Sequence, residues 1–116
     1  MGLEITSVNW MLDQLATKLA LIRLYDASDI EILDHEGESQ DQPALWSPAA
    51  DGALVLASGV RFEIPAGTTP AKIAFLDAVA FGEWASHTIA PEQRESYANN
   101  GLFDVTAANA TITIGE

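Results

Sequence analysis

The chain contains no cysteine, which excludes disulfides, thiolate metal sites and cysteine nucleophiles together. That lack leaves the compartment open, since it suits reducing and oxidising surroundings equally. Basic residues are scarce too: 5 Lys and Arg stand against 17 Asp and Glu, for a formal net charge of -12. Such a surface repels phosphate backbones and anionic headgroups, so neither nucleic acid nor a membrane surface is expected as a partner. No run approaches the roughly 20 apolar residues that cross a bilayer. Residues 1–6 have no basic n-region, and Glu4 interrupts their apolar residues, so they do not read as a signal peptide. Synthesis and folding in a cytoplasm are expected.

Catalytic signatures are missing as well. There is no Gly-Lys-Ser/Thr phosphate loop and no GxSxG elbow. The 2 histidines, His35 and His87, are isolated, whereas zinc needs three or four ligands at recognisable spacing. Asp/Glu pairs of the kind glycosidases use are plentiful, but a chain of 116 residues offers little depth for a substrate cleft. That length holds one domain, expected to span residues 1–116. Without staples or metal, so small a domain draws its stability from a tight core or from neighbouring subunits.

What is present has clear periodicity. After Thr6 and Ser7, both good N-caps, apolar residues fall at Val8, Met11, Leu12, Leu15 and Leu19, the spacing of an amphipathic helix over about residues 7–19. Asp13, Gln14, Thr17 and Lys18 take its other face. Trp10 lies off the stripe and either covers an edge of the core or stands out as an aromatic anchor. Strands are expected from about residue 20 to 114. In LALIRLYD (19–26), Ala20, Ile22 and Leu24 alternate with Leu21, Arg23 and Tyr25. A polar, acidic stretch to residue 43 reads as a long surface loop, in which Ile30, Ile32 and Leu33 form a short edge strand or tether the loop to the body. ALWS, ALVLAS, VRFEI, KIAFLD, EWASHTI, LFDV and ATITI follow, separated by turn signals such as Asp51-Gly52 and Asn99-Asn100-Gly101, the second expected to carry left-handed conformers. The pattern predicts a mainly β fold, an antiparallel β-sandwich of immunoglobulin-like or jelly-roll-like kind, with one N-terminal amphipathic helix. Within VRFEIPAGTTPAKIAFLDA (60–78), Pro65 ends one strand and Gly67 permits a positive φ. A connection of that length suits a crossing between sheets better than a tight hairpin.

The segment FEIPAGTTPAKIAFLDA (62–78) resembles one found in a family of small bacteriophage structural proteins, which commonly read Phe, polar, aliphatic, PAGT and then an alternating strand ending in Asp. The short helix followed by LIRLYDASD (21–29) and the C-terminal TITI are similar to that family also. The resemblance implies an accessory virion protein of a tailed phage that docks rather than reacts, as a minor tail or tail-tip component, with capsid decoration as the alternative. It implies localisation to the virion, other virion proteins as partners (tail or major capsid protein), and neither enzyme activity nor cofactor. Many relatives carry Asp-Pro-Gly and a later Tyr-Ala-Arg after the first strand. Here Asp26-Ala27-Ser28 and the acidic loop replace them, so the loop's contacts do not transfer.

Two groups of residues merit weighing for a site. The cluster DHEGESQD, with Asp34, His35, Glu36, Glu38 and Asp41, offers hard oxygens that suit Ca²⁺, but its spacing is not that of an EF-hand. A solvated loop and a partner contact are its other readings. Trp46, Phe81, Trp84 and Tyr97 sit beside turn signals and join Trp10 as interface candidates. Exposed, they would plug into a protein partner or stack on a host glycan, as in carbohydrate-binding modules; otherwise they pack the core and its edges. Symmetric association, as a trimer, fits a small unstapled domain. No catalytic, cofactor-binding or metal-ligating residue is expected.

Overall fold

In a computed structural model describing residues 4–106 and 111–113, the last three by backbone alone, helix α1 (Ile5–Ala16) begins two residues earlier than the cap pattern predicts. Val8 N–H donates to Glu4 O at 3.0 Å, so Glu4 is the N-cap, with no side-chain cap, while Thr6 and Ser7 lie inside the first turn. The helix also stops sooner. Thr17 donates both its N–H and its hydroxyl to Gln14 O, a competing local bond that closes the last turn. Leu19, expected as the last helical residue, is outside the helix yet fully buried.

Eight strands follow among the described residues: β1 (Leu21–Tyr25), β2 (Gln42–Pro43), β3 (Ala53–Val55), β4 (Val60–Ile64), β5 (Lys72–Leu76), β6 (Glu83–Thr88), β7 (Gly101–Val105) and β8 (Thr111–Thr113). The fold is mainly β with one N-terminal helix, and every ladder is antiparallel. One sheet has the order β2-β1-β5-β6, while β3 pairs with β8 and β4 with β7. Residues 65–71 therefore carry the chain from the β4–β7 ladder into the four-stranded sheet, the crossing expected from their length. Gly67 has φ +83°, and its N–H donates to Tyr97 O, so the corner is held by the later excursion.

Register explains the core. Ile22 pairs with Phe75 and Leu24 with Ile73, which puts four apolar side chains on one face of the sheet. They share a single buried cluster with Leu12, Leu54, Phe62, Ile64 and Val105 from the helix and the two short ladders. On the opposite face Arg23 pairs with Ala74 and Tyr25 with Lys72. There Arg23 makes a bidentate bond to Asp41 at 2.8 and 2.7 Å, which raises the guanidinium pKa further. The acidic loop is thus tied down at Asp41, and again by Ile32, whose N–H donates to Leu24 O at 2.9 Å. Ile32 is 3 % exposed against 63 % for Ile30, so Ile32 is the tether.

Two local expectations need correction. Asn99, Asn100 and Gly101 are not left-handed; among the described residues that conformation belongs to Asp29, Asp51, Phe81, Gly37, Gly52 and Gly67. Gly101 instead opens β7, where a Cβ would press into the edge of the Tyr97 ring. ALWS is not a regular strand: Trp46 makes an isolated bridge with Leu56.

Candidate interaction surface

Asp77 is the residue from which the most exposed feature of the fold is built. It closes the β5–β6 connection, its N–H donating to Gly82 O at 3.0 Å. One carboxylate oxygen accepts the N–H groups of Val79 (3.0 Å) and Ala80 (2.7 Å), and the other accepts from Gly82 (3.3 Å) and the Trp84 indole (3.2 Å). These bonds, that from Ala80 foremost, hold the Asp77 pKa below the ordinary carboxylate range, because each stabilises the charged form. The loop they fix presents Val79, Phe81 and Trp84 to solvent, 92 %, 53 % and 53 % exposed. Phe81 sits at φ +56°, a conformation costly for a bulky side chain and free of penalty for glycine. The Lys18 ammonium lies 5.7 Å from the centre of the Trp84 ring, within cation–π range.

The hairpin leads into β6, the last strand of its sheet. A bulge between Phe75 and Leu76 shifts the pairing from Ala85 to Glu83, which re-aims the chain at Trp84. Apart from Ala85, every β6 residue is exposed.

Of the aromatic candidates, Trp10 is 63 % exposed on α1, beside a shallow hollow of about 480 Å³ lined by Thr6, Ser7 and Met11. Phe81 and Trp84 come together at the hairpin. Trp46 and Tyr97 do not join them; both pack against the core. The Trp46 indole donates to Leu19 O at 2.9 Å and its ring meets Phe75 at 5.3 Å. Tyr97 donates its hydroxyl to Leu102 O at 3.0 Å, and burial pushes its pKa up.

The acidic loop is organised by its own backbone. Asp34 accepts the N–H groups of Glu36 (2.8 Å) and Glu38 (2.9 Å), and Asp41 faces Arg23, so the carboxylates diverge. Among the described residues no group of three or more His, Asp and Glu gathers in a way that would hold a metal. His35 clasps the loop to the body: its Nε2 lies 3.3 Å from Ile64 O and 3.1 Å from Gly101 O. Carbonyls only accept, so this nitrogen carries the proton. A hollow of about 380 Å³ nearby is lined by Asp34, Gln40, Gln42, Arg61, Glu63 and Leu102. Its two acids are engaged, Asp34 as above and Glu63 by the His35 N–H at 3.0 Å.

Each of the 5 basic side chains has an internal partner. Arg23 meets Asp41 and Glu31, Arg61 meets Asp104, and Lys72 meets Glu83 and Asp29. Lys18 covers Trp84, and Arg94 donates to Ile89 O. Carboxylates neutralise Arg23, Arg61 and Lys72, and the net charge left facing outward is anionic.

Sequence reasoning singled out Phe81 and Trp84 but passed over Asp77, whose signal was an Asp followed by small residues and a Gly, the spacing of a side-chain-closed turn. It also passed over Gln40, whose role appears only once β4 is placed. Comparison with known protein families, with curated proteins and with solved structures finds no match to this chain.

Proposed function

We propose that this chain is a docking protein, an accessory structural component of a tailed-phage virion that acts through surface fit and carries out no reaction. The observation that carries the docking reading is the hairpin tip, where Val79, Phe81 and Trp84 stand in solvent on a loop that Asp77 holds by four hydrogen bonds. Large apolar groups fixed outward on a rigid support are the usual anchors of protein contacts. The virion assignment is supported by the likeness of residues 62–78, of LIRLYDASD and of TITI to small phage structural proteins. Within that class a minor tail or tail-tip position is preferred to capsid decoration.

The test is sedimentation of purified virions with the wild-type chain and with a Phe81→Ala, Trp84→Ala double variant. The wild type is expected to travel with the particle, at a copy number matching the tail and not the capsid lattice, and the double variant to stay at the top of the gradient. Full retention of the double variant would rule out the hairpin as the contact. Exposed Trp84 beside Lys18 also favours a second reading, a carbohydrate- or receptor-binding module, since sugar rings stack on such faces. Binding on a glycan array that Trp84→Ala abolishes would select it.

A further inference from the structure

The edges of this fold are not treated alike. An open strand edge offers unpaired N–H and C=O groups, and folded proteins blunt such edges with short strands, proline or covering side chains. Edge strand β2 has two residues, one of them Pro43. Strand β4 is covered by a side chain: Gln40 Oε1 accepts the Glu63 N–H at 2.8 Å while its Nε2 donates to Glu63 O at 2.7 Å, the pair of bonds another strand would make. Strand β3 is met by Ser47, whose N–H donates to Val55 O at 2.9 Å. Strand β6 has six residues, neither Pro nor Lys, and no neighbour beyond it among the described residues.

Register says which groups face outward. Ile89 N–H donates to Ala71 O at 2.8 Å, one step beyond the Lys72–Thr88 pair. In an antiparallel ladder bonded and non-bonded pairs alternate, so His87 and Ala85 bond to β5. The N–H and C=O of Ser86 and Thr88 then point away from the sheet. The anchor hairpin with Phe81 and Trp84 lies at the start of the same edge.

We infer that the open edge of β6 takes an extended, basic segment of a partner protein as a fifth strand, paired through Ser86 and Thr88 and seated against Trp84 and Phe81. This rests on the docking reading above. Main-chain pairing supplies the affinity in such strand addition, and side chains supply the choice of partner. Charge selects the occupant: a second copy would bring another charge of -12 against a surface that is itself net anionic, with Arg23, Arg61 and Lys72 already paired to carboxylates and Lys18 alone beside Trp84, whereas a Lys- or Arg-bearing strand meets an attractive field. The left-handed Phe81 fits the same picture. Its conformation costs the free chain stability that glycine would restore, a trade seen where a side chain is kept for contact.

The probes are a peptide of about eight residues alternating Lys and Val and its Glu/Val counterpart, followed by amide exchange in the purified chain. The Lys/Val peptide is expected to slow exchange at Ser86 and Thr88 on the order of tenfold, and the Glu/Val peptide to leave both unchanged. Ser86→Pro removes an outward N–H and leaves the β5 bonds intact; it is expected to keep the wild-type circular dichroism and to lose the effect. Phe81→Gly is the second variant, expected to raise Tm and weaken peptide binding. Unslowed amides with the Lys/Val peptide, undiminished binding by a folded Ser86→Pro chain, or Ser86 and Thr88 already protected in a sedimenting dimer would each overturn the inference. On virions the two proposals separate. If the wild type and Ser86→Pro both sediment with particles, the edge assignment fails and docking stands; if the wild type does not, docking itself fails.

Discussion

Asp77 and Phe81 stand four residues apart and face opposite demands, one binding the loop together and the other held in it at a cost. Because hydrogen bonds lower the folded pKa of Asp77, its contribution to stability is present above the ordinary carboxylate value and is lost as pH falls through the lowered one. Below about pH 4 the amide resonances of Val79, Ala80 and Gly82 are expected to shift together ahead of global unfolding. Asp77→Ala should reproduce that shift at neutral pH. Gly101 carries a second prediction at this scale. With the edge of the Tyr97 ring too close for a Cβ, Gly101→Ala should cost about 1–3 kcal/mol, read as a lowered denaturant midpoint. The five aromatic candidates divide by the same local logic. Trp46 finds a carbonyl and a ring inside and is drawn in, while Trp84 finds only Asp77 and Lys18 and stays out. Nothing in their immediate sequence separates the two, since both lie next to turn residues.

At the scale of elements, strands were the legible part. ALVLAS, VRFEI, KIAFLD and EWASHTI each contain the strand that forms, and LFDV all but its first residue, Gly101, because alternation and β-branched or aromatic content are local properties. The helix was legible as an element and not at its ends, where Glu4 and Thr17 decide through backbone bonds that several nearby residues were equally able to make. What local pattern does not encode is which edges remain open. Gln40 is the instructive case: a polar loop residue in sequence, it takes the place of a strand beside Glu63. Gln40→Ala should therefore cost about 1–2 kcal/mol in chemical denaturation. It should also speed amide exchange at Glu63, leaving β6 unaffected.

Over the whole molecule the dominant quantity is charge. A net -12 repels itself across the surface, and the repulsion acts over about 30 Å at 0.01 M salt but only about 8 Å at 0.15 M. Tm is accordingly expected to rise by a few degrees between those salt concentrations in scanning calorimetry. The short Arg23–Asp41 pair, half-buried at 2.7 Å, is screened much less than the long-range repulsion, so the net sign is stabilising. The sequence by itself determined the charge, the β alternation and the single helix, since each follows from residue type within a few neighbours. Tertiary structure alone decided which strands pair, which aromatic rings are enclosed and which edges side chains and short strands cover. Those outcomes depend on groups brought together from distant parts of the chain, such as Trp46 with Leu19, Gln40 with Glu63, and Tyr97 with Gly101.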